Sequence, residues 1–239
     1  DLTKLCLSTL GLNDYRVRVG LRDPDSAKYT GPSEYWDRAE QNLRNVVRRV
    51  GLEYSEEAGE AAFYGPKIDI VVNDCIGREW QLGTIQVDYN LPERFDLTYI
   101  DENDEKQRPV MIHRAPFGSL ERFIGVLIEH CGGNFPTWLA PVQVQVIPVS
   151  DDFNAYAEEV ASKLRDEDIR VKVDDKDETV GYKIRQAETS KVPYMLVVGG
   201  REAEAGTVAV RAHGSGEQDV IPADEFVQQI TAEVEAAIG

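Results

Sequence analysis

Residues 111–130 read "MIHRAPFGSLERFIGVLIEH" and set a histidine and two arginines beside a glycine–serine pair. From there the apolar residues Leu120, Phe123, Ile124, Leu127 and Ile128 follow the spacing of one buried helical stripe. Gly118 and Ser119 stand where a helix start is expected. Glu121 suits the positive end of the helix dipole, whereas Arg122 does not. Free backbone N–H groups at a helix start, with one guanidinium beside them, make an anion site.

Elements must hold that site in place. Up to about Gly133 the chain reads as strands, turns and one long helix. "DYRVRVGLR" (14–22) alternates as a strand does, and "SEYWDRAEQNLRNVVRRVG" (33–51) reads as an amphipathic helix with a Ser cap and Gly51 at its end. Strand patterns follow at 66–74, 79–90 and 95–101, with Gly, Pro, Asn and Asp between them, and short turns favour antiparallel pairing. "CGGNFPTWLAP" (131–141) has no period and marks a domain boundary. Beyond it strands at 142–150, 169–174, 193–200 and 207–213 alternate with helices at 151–168, around 181–189 and from Pro222 to about Ile238. The 151–168 helix carries Phe153, Tyr156, Ala157, Val160 and Leu164 on one face. That order implies a largely parallel sheet with helices on its faces.

The 239 residues, 42% hydrophobic and 29% charged, suffice for one large or two ordinary domains. No apolar run reaches membrane-spanning length and no signal peptide is visible. The missing initial Met suggests a piece of something longer. Cys6, Cys75 and Cys131 are widely spaced, which favours reduced thiols in a cytosolic protein. A net charge of −17 argues against a nonspecific nucleic-acid coat protein, while leaving room for a local RNA contact.

"GSLERFIGVLIEH" resembles motif 3 of class II aminoacyl-tRNA synthetases, a strand–turn–helix ending in Gly-x-x-x-Arg. "AAFYGPKIDI", "WQLGTIQVDYNLPERF", "PVMIHRA" and "FPTWLAPVQV" resemble, in order and spacing, the threonyl-tRNA synthetases, and "VPYMLVVG" and "GTVAVR" continue the likeness into the anticodon-binding domain. The resemblance implies an α+β and α/β chain: residues 1–133 as the C-terminal part of an antiparallel-sheet catalytic domain, and 137–239 as a mixed-sheet anticodon-binding domain.

For the site, the resemblance implies an ATP-binding set of Lys67, Gln81, Thr84, Ser119 and Arg122, with Lys67 and Arg122 catalytic. Tyr64 and Gln86 would meet threonine, and Gly118 and Ser119 would leave room for the nucleotide. His113 corresponds to one ligand of a Zn2+ that binds the amino and hydroxyl groups of threonine. The other two ligands, a Cys and a His, lie upstream of this chain in that family, as do the dimerisation motif and the motif whose arginine holds the α-phosphate. Zinc suits the task, because a plain pocket cannot strongly reject valine, nearly isosteric with threonine.

Glu202 and Arg211 correspond to readers of anticodon bases, and a splayed-out base suits one acceptor and one bidentate donor. Asp177 is a departure: the family's best-known members carry Asn near it, and "DDKDE" (174–178) is acidic. His130 and His213 read as structural. The implied partners are tRNA(Thr), MgATP and threonine, with a homodimer for the full-length enzyme, in the cytoplasm and without a membrane. A competing reading is a non-catalytic, stand-alone tRNA-binding protein descended from a synthetase.

Overall fold

The structure, a computed structural model, describes residues 1–238, and the chain separates into two compact units, Asp1–His130 and Cys131–Gly239. In the first unit, helix α1 (Leu2–Thr9) precedes strand β1 (Tyr15–Leu21). Helix α2 (Ser33–Arg49) then crosses over to β2 (Tyr54–Ala58), so these two strands run parallel. The sequence pattern did not show β2, because "YSEEA" at a sheet edge is polar on both sides. Strands β3 (Lys67–Asn73) and β4 (Glu79–Asp88), a short helix α3 (Asn90–Arg94), a small hairpin β5 (Tyr99–Ile100) and β6 (Lys106–Gln107), and β7 (Met111–Ala115) follow, before helix α4 (Leu120–Cys131). The five-stranded sheet has the order β2-β1-β3-β4-β7, antiparallel except for β1–β2.

Pleating divides this sheet into two chemically opposite faces. Val17, Val19, Ile68, Ile70 and Ile85 share one face through the registers Val17↔Ile70, Val19↔Ile68 and Ile68↔Ile85, and α2 lays Val47 on it. The other face carries Arg16 and Arg18 of β1, Lys67 and Asp69 of β3, Thr84 and Gln86 of β4 and His113 of β7.

Four expectations need correction in this unit. Ser33 does not cap α2: Pro32 occupies that position, and the Ser33 hydroxyl instead accepts from Arg22 at 3.1 Å. Residues 95–98 are not strand, because the Phe95 N–H closes α3 onto Leu91 and Asp96 takes a left-handed φ of 51°. The 79–90 pattern ends as strand at Asp88, where the Asp88 carboxylate accepts from the N–H groups of Asn90 and Leu91 and turns the chain into α3. Helix α4 buries Phe123, Val126 and Leu127, whereas Leu120, Ile124 and Ile128 are 60%, 50% and 46% exposed. The helix is apolar on two stripes, and period alone does not say which one packs.

The second unit builds a sheet of order β12-β11-β10-β8-β9. Strand β8 (Val144–Pro148) leads through a single 3-10 turn at 151–153 to helix α5 (Asn154–Asp166), then β9 (Val171–Val173), α6 (Val180–Thr189), β10 (Tyr194–Val198) and α7 (Gly200–Ala205). It ends with β11 (Thr207–Ala212), β12 (Asp219–Pro222) and α8 (Ala223–Ile238). β9, β8 and β10 are parallel, but β11 and β12 are antiparallel, so the sheet is mixed rather than largely parallel. α7 and β12 were not anticipated; each is short, and β12 lies at an edge with Asp219 and Val220 exposed. Two apolar layers flank the sheet, one joining Val144, Val146, Leu196 and Val198 to α5 and α8, the other joining Ile147, Met195 and Val197 to Ala187 of α6. On α5 the buried residues are Ala157, Val160, Ala161 and Leu164, with Tyr156 and Phe153 only part-buried.

Candidate functional site

β3 and β4 pair as Lys67↔Gln86, Asp69↔Thr84 and Ile70↔Gly83, but the next pair is Val71↔Gln81. Leu82 is therefore an extra residue, a β-bulge. Strict alternation would put Gln81 on the apolar face, opposite to Thr84 and Gln86. The bulge turns it onto the polar face, where its Nε2 donates to Thr84 Oγ1 at 2.8 Å and to Asp69 Oδ1 at 2.7 Å.

Asp69 is fully buried at the centre of this face. Its Oδ2 takes Lys67 Nζ at 2.8 Å and Arg18 Nη2 at 2.9 Å, and its Oδ1 also accepts from Thr84 at 3.0 Å. Burying a carboxylate costs several kcal/mol unless charge and hydrogen bonds compensate, and here two cations and two neutral donors do so. Burial lowers the Arg18 pKa, but its bond and attraction to Asp69, with Glu57 and Glu60 nearby, outweigh that and raise it. Arg18 also donates to Gln81 Oε1 at 3.0 Å. Neither Asp69 nor Arg18 was singled out from the sequence, although the alternation in "RVRV" and "KIDI" places both opposite the apolar face.

Farther along β4, Tyr64 Oη donates to Gln86 Oε1 at 2.7 Å. Burial, and then the nearby Asp88 charge, raise the Tyr64 pKa, keeping it a neutral donor. Buried Asp88 lies 2.9 Å from His113 Nε2, and the Tyr64 and His113 rings are 5.4 Å apart. A carboxylate behind one ring nitrogen leaves the other free, which is the usual setting of a ligating imidazole. Zinc nonetheless needs three protein ligands at a catalytic site. Among the described residues no cluster of three His, Cys, Asp or Glu side chains could hold a metal ion.

The loop before α4 rests on the bulge. Gly118 has a φ of +62°, and a Cβ there would meet the Leu82 carbonyl oxygen, so the glycine serves this close approach. Ser119 Oγ lies 3.4 Å from the Arg122 N–H and donates to Glu121 Oε2 at 2.8 Å. Exposed Arg122 donates through Nη1 to the Gln81 carbonyl at 3.0 Å and lies 6.0 Å from the Trp80 ring centroid. No carboxylate of the described residues pairs with it within 4.0 Å, which leaves an oriented cation at the rim of the polar face.

In the second unit Glu202 sits in the first turn of α7, and its Oε2 accepts from the Gly199 N–H at 3.0 Å. Arg211 lies opposite Met195 on β11, 3.5 Å from Glu188 Oε1, with its Nε buried and without a hydrogen bond. The two are not brought together. Glu202 follows the end of β10 and Arg211 faces its start, so roughly 10 Å of strand separates their levels. Asp177 is exposed in the loop before α6, and His213 pairs with Glu188 at 2.8 Å.

Comparison with known proteins matches residues 2–131 to the tRNA synthetase class II core domain (G, H, P, S and T) and residues 143–233 to an anticodon binding domain. A threonine–tRNA ligase of Chloroherpeton thalassium is 53% identical over 98% of this chain and 36% of its own length. One of Thermus thermophilus is 54% identical over 95% of this chain and 35% of its own. The solved RNA binding domain of threonyl-tRNA synthetase from Cryptosporidium parvum aligns with a TM-score of 0.89 at 34% identity, covering 98% of this chain and 58% of that one. The chain thus spans about a third of the length of the curated relatives it matches.

Proposed function

The chain belongs to the class II tRNA synthetases of the G, H, P, S and T core type, with an anticodon-binding domain attached, and from that premise we propose that it is the C-terminal segment of a threonine–tRNA ligase. The whole enzyme would activate threonine with MgATP and esterify tRNA(Thr). The observation that carries this reading is the polar sheet face itself, where Lys67, Thr84 and Gln86 share one side, the bulge adds Gln81, and Arg122 stands at the rim. A stand-alone tRNA-binding module would have no use for the Tyr64–Gln86 pair or for a lysine held at the centre of that face.

In the reaction the threonine carboxylate attacks the α-phosphate and pyrophosphate leaves; the tRNA terminal ribose hydroxyl then attacks the acyl carbon and AMP leaves. Arg122 stands at the Gln81 end of β4, while the Lys67 ammonium, drawn to Asp69, lies at the middle of the face, so a nucleotide can lie on it between two cations. Their work is positioning and charge stabilisation. Gln86, its carbonyl held by Tyr64, turns its amide N–H groups toward the amino-acid end. His113 would supply one zinc ligand through its free ring nitrogen, the other two coming from elsewhere in the full-length enzyme, where zinc would select the threonine hydroxyl. Glu202 and Arg211 would read anticodon bases. We further place the enzyme in the cytoplasm as a homodimer.

The test is ATP–pyrophosphate exchange by the full-length protein. It should depend on threonine and fall sharply in Lys67→Ala; exchange that is indifferent to threonine, or an unaffected Lys67→Ala, would contradict the reading.

A further inference from the structure

The Asp69 carboxylate gathers four donor side chains of the polar face. Oδ2 receives Lys67 Nζ at 2.8 Å and Arg18 through Nη2 at 2.9 Å and Nε at 3.2 Å. Oδ1 receives Gln81 Nε2 at 2.7 Å and Thr84 Oγ1 at 3.0 Å. Cations thus meet one oxygen and neutral donors the other.

The consequence follows from counting hydrogens. Gln81 has two amide N–H groups, and both are spent, on Asp69 and on Thr84. Thr84 has one hydroxyl hydrogen, spent on Asp69. Each keeps only acceptor capacity toward a ligand, and Arg18 already occupies one site on Gln81 Oε1. Lys67 spends one of its three N–H groups on Asp69 and keeps two.

We propose that Asp69 is the positioning residue of the nucleotide wall: it anchors Lys67 for the phosphates and turns Gln81 and Thr84 into acceptors for donor groups of the ligand, such as ribose hydroxyls. The proposal rests on the reading of this face as an ATP site. Asp69 touches no substrate and acts through its neighbours.

An asparagine of the same size cannot replace it. If its NH2 faces Lys67 and Arg18, a donor meets two cations. If it faces Gln81 and Thr84, a donor meets donors, and Gln81 must turn its amide and release Arg18. Either arrangement moves the groups that define the wall.

The experiment is steady-state ATP–pyrophosphate exchange by the full-length protein, comparing wild type, Asp69→Asn and Lys67→Ala. Asp69→Asn should lower kcat/KM for ATP by about 10²-fold, the scale of a small misplacement of reacting groups. KM for ATP should rise while KM for threonine stays within about twofold, because only ATP contacts are displaced. A folded Asp69→Asn protein with wild-type KM for ATP overturns the proposal, as does an equal loss toward both substrates, which marks a purely structural carboxylate. If Asp69→Asn does not fold, Asp69→Glu, which keeps the charge but shifts it by one methylene, must show the same selective rise, and a wild-type KM there overturns the proposal. An unaffected Lys67→Ala would instead remove the ATP-site reading beneath it, so the two failures are distinguishable.

Discussion

A Cβ placed on Gly118 would lie 2.3 Å from the carbonyl oxygen of Leu82, the bulge residue of β4. The loop that starts α4 is therefore seated on the irregularity that turns Gln81 onto the polar face. Gly118→Ala must open this contact and also hold alanine at a φ of +62°, a strain of about 1–3 kcal/mol. The variant should melt earlier and lose ATP–pyrophosphate exchange together, because Arg122 is drawn off the Gln81 carbonyl. Wild-type melting and exchange would mean that the loop is not fixed by the bulge.

Arg122 separates catalysis from stability. In the full-length protein Arg122→Ala should cost a few kcal/mol in threonine activation, as loss of other charge-stabilising donors does. Its melting temperature should barely move, since an exposed arginine held by one carbonyl contributes little. Normal activation, or simple unfolding, would return Arg122 to the role of an ordinary helix residue.

The 239-residue chain alone should neither exchange pyrophosphate in the presence of threonine nor retain zinc against a moderate chelator. His113 is a single ligand with a carboxylate behind it, and no cluster of three ligating side chains accompanies it among the described residues. Metal analysis after dialysis, alongside an exchange assay, checks both halves; a stoichiometric zinc ion on the purified chain would contradict the ligand count.

Tyr194 gives the second unit an alkaline signature. Burial, and then its 2.8 Å hydrogen bond to Glu233, push its pKa up to about 12 from an ordinary 10.0. Above the unfolded value the unfolded chain releases this proton first. Its contribution to stability is therefore complete below pH 10 and is lost as pH rises toward about 12. Tyr194→Phe should show a shallower loss of stability over that window in denaturant titrations; identical pH slopes would deny the shift.

Arg211 is anchored to Glu188 through its buried Nε, 3.5 Å from Oε1, and its terminal Nη groups are the donors left for a base edge. In the full-length protein Arg211→Ala should weaken discrimination between native and swapped anticodons by about 1–3 kcal/mol, if the scale of bidentate base contacts on DNA carries over, with activation unchanged. Charging rates on the two tRNAs measure it, and equal discrimination would make Arg211 a structural strand residue.

Much of this was legible in the chain, because period-2 and helical patterns record which side of an element is buried. "KIDI" and "RVRV" even carry the polar face in their alternation. The centre of that face was missed because Asp69, inside the run "IDIVV", has its meaning only across strands, in register with Arg18 and Thr84. The local mark of the Leu82 bulge is the isolated strand glycine Gly83, which does not say which side chain turns: an unbroken alternation through "WQLGTIQ" puts Gln81 on the wrong face. The two stripes of α4 are equally apolar in sequence, and only packing distinguished Phe123 from Ile124.

The decisive measurement is aminoacylation with the full-length protein, offered threonine, serine and valine separately with tRNA(Thr) and ATP. Threonine should be esterified to the tRNA far faster than serine or valine, and the rate should collapse in Lys67→Ala. Preferential charging with another amino acid, or charging that survives Lys67→Ala intact, would contradict the threonine–tRNA ligase reading.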